Sequence, residues 1–199
     1  MIAIVDYGVG NLRSVERALL QVGARPRLTA DKDELARADG IVLPGVGAFA
    51  ACRRELERGG LGRWVADLAR KGRPLLGVCV GYQLLFEESE EHGRHEGMGL
   101  LRGRVVQVRG SARLPVIGWC RLTQTEWSPL WAGIADRAYL YFLHSYTPAG
   151  SPDAIAATEH SPAAAAARAN VMGTQFHPEK SGADGLRVYA NFLAVCGAG

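Results

Sequence analysis

Through the first half of the chain, short runs rich in Ile and Val alternate with longer stretches whose apolar residues fall three or four apart. The opening "MIAIVD" predicts a strand. It turns through Gly8 and Gly10 into "NLRSVERALLQVG", where Leu12, Val15, Leu19 and Val22 share a helical face and Gly23 supplies a stop. "RPRLTA" predicts a second strand, Asp31 opens a short polar helix, and "GIVLP" predicts a third strand. A glycine-bearing loop then leads to a helix with Phe49, Cys52 and Leu56 on one face. Pro74 announces a further apolar run over residues 75 to 78, and residues 83 to 91 read as the helix that follows it. Strand, turn and helix in succession demand right-handed crossovers and a parallel sheet covered on both faces.

After Leu100 the rhythm changes. "RVVQVR", "LPVIGWCRL", "AYLYFLHSY", "AIAATEH" and "AAAARAN" are strand-like runs separated by turns, which predicts an antiparallel or mixed extension of the sheet. "VMGTQFHPE" adds one more strand, and "DGLRVYANFLAV" closes the chain as a helix packing Leu186, Tyr189 and Leu193. The expected fold is a three-layer α/β/α arrangement around a largely parallel sheet, mixed at one side. No repeat or linker divides the chain, and 199 residues suit one domain, 1 to 199, better than two small ones.

Composition adds exclusions. With 48% hydrophobic and 22% charged residues and a net charge of +3, the chain gives no reason to expect nucleic acid or a membrane surface as partner. The densest basic patches, Arg53-Arg54 and residues 70 to 73, read as solvated faces. No apolar run has the length of a membrane span, and "MIAIVDYGVGN" has neither a basic leader nor a small-residue cleavage site, so the cytoplasm is the expected location. Cys52, Cys79, Cys120 and Cys196 are scattered and form no C-x-x-C, which argues against zinc and against a disulfide framework. Reduced thiols follow.

One of those thiols is unusually placed. In "LLGVCVGYQ", Cys79 stands between Val78 and Val80 and inside the glycines Gly77 and Gly81, at a strand-to-helix turn. Gly-x-Cys-x-Gly at the end of a buried strand repeats the logic of a nucleophile elbow, whose tight turn pushes the reactive side chain onto a helix N-terminus. The bland alternative is a packing cysteine. A nucleophile needs a base, and "QFHPEKS" offers His177 with Glu179 two residues on; in an extended segment both project the same way. His144 in "FLHSY" is a rival base without such a carboxylate, whereas His92, His95 and His160 lie in polar surroundings that suit the surface. In "VLPGVGAF", the amide of Val46, with that of Val80, could receive an oxyanion. A competing reading takes Gly8, Gly10 and the later Asp31 as a dinucleotide fingerprint, but Arg13 occupies the place of its third glycine.

In this order, "PGVG", "GVCVGYQ" and "FHPEKS" resemble the motifs of the class I glutamine amidotransferases, and the likeness covers nearly the whole chain. Within them, "DYGVGN", "LPGVGAF", "LLFEESEE" and "YLYFLHSY" are similar to the family of glutaminase subunits that serve imidazole glycerol phosphate synthases. The resemblance implies Cys79 as nucleophile, His177 as acid and base, and Glu179 as its orienting partner. It implies glutamine held by the Gly47 backbone, Gln83, an acidic residue of "EESEE", best Glu91, and the backbone of Ser145 and Tyr146. It further implies no cofactor or metal, and a heterodimer with a (β/α)8-barrel cyclase subunit that consumes the ammonia in histidine biosynthesis. Asn11, Trp119, Tyr141 and Lys180 are then candidates for the partner interface. Where the family pattern has Gly-Trp-Asn, this chain has Gly118-Trp119-Cys120, which removes a polar group. Glutaminases of anthranilate or pyridoxal phosphate synthesis would keep the same triad, and a non-catalytic scaffold would leave Cys79 unreactive.

Overall fold

The computed structural model describes residues 1–110 and 113–197. In chain order its elements are β1 (Ile2–Val5), α1 (Leu12–Gln21), β2 (Pro26–Thr29), α2 (Lys32–Arg37), β3 (Gly40–Leu43), α3 (Phe49–Glu57), α4 (Leu61–Arg70), β4 (Leu75–Val78) and α5 (Val80–Gln83). Then come β5 (Glu88–Ser89), β6 (His95–Glu96), β7 (Arg104–Gln107), β8 (Val116–Arg121), β9 (Thr123–Gln124), β10 (Tyr139–His144), β11 (Tyr146–Ala149), β12 (Ala154–Ala157), β13 (Ala165–Arg168), β14 (Val171–Thr174) and α6 (Gly182–Val195).

Strands β2, β1, β3, β4 and β14 lie side by side and parallel. β13, β12 and β9 continue the same sheet in antiparallel pairing. Every residue of β1, β3, β4 and β14 is buried, as their unbroken apolar runs require, because helices cover both faces. α1 packs with α6, and α3 packs with α4. α4 is a helix beyond those expected from the apolar pattern; it buries Leu61, Val65, Leu68 and Ala69. On α6 the buried apolar side is carried by Val188, Tyr189, Phe192 and Leu193, with Leu186 only partly covered.

Two expectations change. Only part of the strand-rich second half extends the central sheet: β8 and β10 form a separate antiparallel ribbon, and β11, β7, β5 and β6 form a separate four-stranded sheet. The reason is visible in β10, where buried and more exposed residues alternate, so the strand has one covered face and cannot sit inside a two-sided sheet. The helix expected over residues 83 to 91 is also absent, since α5 is a single turn. Leu84, Leu85 and Phe86 are all fully buried, leaving no polar face, and their carbonyls accept from Met98, Leu100 and Gly99, 2.8 to 3.0 Å away, rather than from the next helical turn.

β3 and the turn after β4 approach so closely that side chains are excluded. A Cβ on Gly81 would stand 2.0 Å from the Leu43 carbonyl oxygen, and one on Gly45 would stand 2.5 Å from the Gly81 nitrogen. Both obstacles are backbone, which has little room to retreat. Gly81→Ala is expected to cost about 3 kcal/mol or more and lower Tm by roughly 6 °C or more, read by thermal denaturation.

Candidate active site

Because β3, β4 and β14 are adjacent and parallel, their carboxyl ends share one edge of the sheet, the usual place for a site in an α/β fold. Three motifs far apart in sequence meet there: the loop of residues 44 to 47, Cys79, and the segment from Gln175 to His177. They line a cavity of about 320 Å³ that includes Val46, Gly47, Cys79, Val80 and His177. Cys79 is the residue at the turn, with φ 55° and ψ −114°, a backbone region that costs a non-glycine residue roughly 1–3 kcal/mol. Its N–H donates to the Thr174 carbonyl at 2.9 Å and its carbonyl accepts from Gln83 at 3.1 Å, so both ends of the strained residue are held. The thiol faces the Leu143 carbonyl at 3.8 Å, and Gln175 Nε2 lies 4.0 Å from Sγ.

His177 and Glu179 are brought together, though by a different local geometry from the extended one expected. β14 ends at Thr174, and Pro178–Lys180 form a 3-10 turn for which His177 is the N-terminal flank. The turn folds the Glu179 carboxylate back so that His177 Nδ1 donates to it at 2.9 Å. That bond leaves Nε2 for the Cys79 side. Burial alone would lower the His177 pKa, but the Cys79 sulfur and the Glu179 carboxylate outweigh it and raise it to about 10. The second Glu179 oxygen lies 3.5 Å from the Tyr189 hydroxyl, which burial keeps protonated and able to donate.

The remaining expected residues surround the same space. Gln83, Glu91, Ser145 and Tyr146 line the cavity. Gln83 Nε2 donates to the Tyr146 carbonyl at 2.8 Å and to Gln175 Oε1 at 3.0 Å. Of the acidic run, Glu91 is the member on the cavity wall, and its Oε2 accepts from the Phe49 N–H at 2.7 Å. The others are engaged elsewhere: Glu87 with Gly103, Glu88 with Arg94, Glu90 with Gln107. Asn11 and Lys180 also line the cavity. Trp119 and Tyr141 do not, but they pair edge to face across β8 and β10 at 6.1 Å, and Lys180 Nζ lies 5.7 Å from the Tyr141 ring. Cys120 points to the opposite side of the ribbon, half-buried against the core.

His144 also lines the cavity, but its ring is committed to a backbone carbonyl and not to a carboxylate. Its Nδ1 donates to the Tyr146 carbonyl at 3.1 Å, and burial, outweighing that bond, lowers its pKa to about 4. His95 and His160 are half-buried, contrary to expectation, while His92 is exposed. Asp31 serves as the N-cap of α2, accepting from Asp33 and Glu34 at 2.9 Å, so its carboxylate is committed to the helix and not free for a ribose. The sequence reading missed Gln175, although its spacing two before His177 was a signal. It also missed Tyr7, whose hydroxyl donates to the Pro44 carbonyl at 2.7 Å and for which no local signal exists. Among the described residues, no group of three or more His, Cys, Asp or Glu could hold a metal, and no helix is long and apolar enough to cross a membrane.

The model of the family described as glutamine amidotransferase class-I matches residues 3–196. A protein of Bacillus cytotoxicus named imidazole glycerol phosphate synthase subunit HisH is 43% identical, with 98% of this chain and 95% of that protein covered. A protein of the same name from Desulfitobacterium hafniense is 46% identical over 96% of this chain and 93% of its own length. Among solved structures, PurLQS from Thermotoga maritima superposes with a TM-score of 0.77 at 22% identity, covering 98% of this chain and 97% of that one.

Glu179→Gln removes one of the groups that hold the His177 proton. The His177 titration, followed by NMR, is expected to fall from about 10 by roughly a unit or more. For His144 the sign is opposite. Its folded pKa of about 4 lies below the ordinary 6.5, so on acidification the unfolded chain takes up that proton first. Stability is therefore lost between pH 6.5 and about 4, by up to roughly 3 kcal/mol, and denaturant titrations of His144→Gln should show a correspondingly smaller loss.

Proposed function

The chain belongs to the class I glutamine amidotransferases, and we propose that it is the glutaminase subunit of an imidazole glycerol phosphate synthase, with residues 1–199 forming one such domain. The observation that carries the reading is the cavity in which the strained Cys79 faces a His177 backed by buried Glu179. The near full-length likeness to proteins named as that subunit supports the choice of pathway.

In the proposed reaction, His177 takes the Cys79 proton and the thiolate attacks the side-chain carbonyl carbon of glutamine. An imidazole whose pKa is raised to about 10 by the Cys79 sulfur and the Glu179 carboxylate holds that proton firmly once it has taken it. The developing oxyanion is received by the amides of Val80 and Val46. Collapse breaks the C–N bond, and His177 returns the proton to the departing nitrogen as ammonia. The thioester is then hydrolysed by a water that His177 deprotonates, giving glutamate. Gln83, Glu91, Gly47 and the Ser145–Tyr146 backbone hold the amino acid end of glutamine, an ammonium requiring a carboxylate and a carboxylate requiring N–H donors.

Ammonia released into water at neutral pH is mostly protonated and no longer a nucleophile. Direct delivery to a (β/α)8-barrel cyclase subunit in a cytoplasmic heterodimer avoids that loss, and Asn11, Trp119, Tyr141 and Lys180 form the proposed contact. No nucleic acid, membrane or cofactor enters this scheme. Glutamate release by the purified chain should rise strongly when the cyclase and its nucleotide ligand are added, and should fall by at least roughly a thousandfold in Cys79→Ala. Turnover indifferent to that cyclase would assign the triad to another pathway. An inactive wild type under both conditions would return Cys79 to a packing role.

A further inference from the structure

The loop between β3 and α3 supplies both Val46 and Gly47 to the cavity, and its orientation is held from the buried side by a thiol the mechanism does not use. Cys52 lies in the first turns of α3, fully buried, with its N–H bonded to the Ala48 carbonyl at 3.1 Å. Helical side chains tilt toward the N-terminus, and Cys52 Sγ reaches back to donate to the Val46 carbonyl at 3.1 Å. Burial raises the Cys52 pKa, so the sulfur keeps its proton and remains a donor.

The consequence follows from the planarity of the peptide. In a trans peptide the carbonyl and the next N–H point in opposite directions. Anchoring the Val46 oxygen toward α3 therefore turns the Gly47 N–H away from α3, and Gly47 is on the cavity wall. Neighbouring bonds complete the anchorage: Tyr7 holds the Pro44 carbonyl before this peptide, and Glu91 holds the Phe49 N–H after it. Gly47, at φ 85°, supplies the freedom that lets the chain leave the anchored peptide and enter the helix.

We infer that Cys52 is a positioning residue for substrate: its thiol fixes the Val46–Gly47 peptide so that the Gly47 amide faces the bound glutamine. This rests on the glutaminase reading. A hydrogen bond to the carboxylate end of glutamine is made alike in ground and transition states, so losing its alignment raises KM and leaves kcat nearly unchanged. In the complex with the cyclase subunit and its nucleotide ligand, Cys52→Ala is expected to raise KM for glutamine about three- to tenfold. Cys52→Ser, which restores an O–H donor at the same position, should return KM to within about twofold of wild type.

A merely structural role for Cys52 would lower Tm without splitting KM from kcat and would give no rescue by serine. An unchanged KM in folded Cys52→Ala, or equal impairment in the alanine and serine variants, overturns the inference while leaving the glutaminase reading intact. If alanine does not fold, the serine variant decides alone: near-wild-type KM supports the anchoring hydrogen bond, and a KM raised beyond twofold rejects it. A wild-type complex that releases no glutamate overturns the reading and this inference with it.

Discussion

Everything at the site depends on how closely the backbone leaving β3 approaches the turn that follows β4. Glycine at positions 45 and 81 lets the two segments touch main chain to main chain, and Cys79 takes a strained positive-φ conformation in the second of them. The strain is sustained because the residue is bonded on both sides, to Thr174 of β14 and to Gln83 of α5. The same contact brings Val46 and Val80, two amides proposed to share one oxyanion, to a common cavity from different strands. A looser junction would relieve the cysteine and separate the amides together.

Around this junction, buried polar groups form a connected set rather than isolated pairs. Gln83 joins the Tyr146 carbonyl to Gln175, Gln175 points its amide toward the Cys79 sulfur, and His144 bonds the same Tyr146 carbonyl from the end of β10. Such networks are stable only when nearly every member is satisfied, since an orphaned polar atom in a low-dielectric interior is costly. His144 bears part of that cost. Its Nε2 is buried without a partner among the described residues, and burial keeps the imidazole neutral.

The sequence made the parallel half of the fold legible because β1, β3, β4 and β14 are short, largely apolar runs and glycines stand in or beside the turns that follow the first three. Cys79 and His177 were legible for the same reason, since their motifs sit where those runs end. The geometry joining His177 to Glu179 was not. Period two suggested an extended pair, whereas Pro178 starts a 3-10 turn that folds the carboxylate back on the imidazole. The helix misplaced over residues 83 to 91 failed through tertiary override, its carbonyls being claimed by a segment more than ten residues later. Cys52 and Tyr7 act on loop carbonyls set by packing, so local spacing carries no trace of their role. The choice of Glu91 from its acidic run came from resemblance, not from pattern, and its place on the cavity wall is a tertiary fact.

The β8–β10 ribbon links an exposed surface to the cavity. Its outward face exposes Ile117, Trp119, Tyr139 and Leu143, an apolar surface that water does not favour. Its edge is bonded directly into the site: the Tyr141 carbonyl accepts from the His177 N–H at 2.9 Å, and the Tyr141 N–H donates to Ser181 just beyond Glu179. The next residues bring the Leu143 carbonyl to the Cys79 sulfur and His144 to the Tyr146 carbonyl. One strand thus touches Cys79, His177 and the Tyr146 side of the cavity wall in succession. The ribbon is joined to the site by direct hydrogen bonds and not through a longer path across the core.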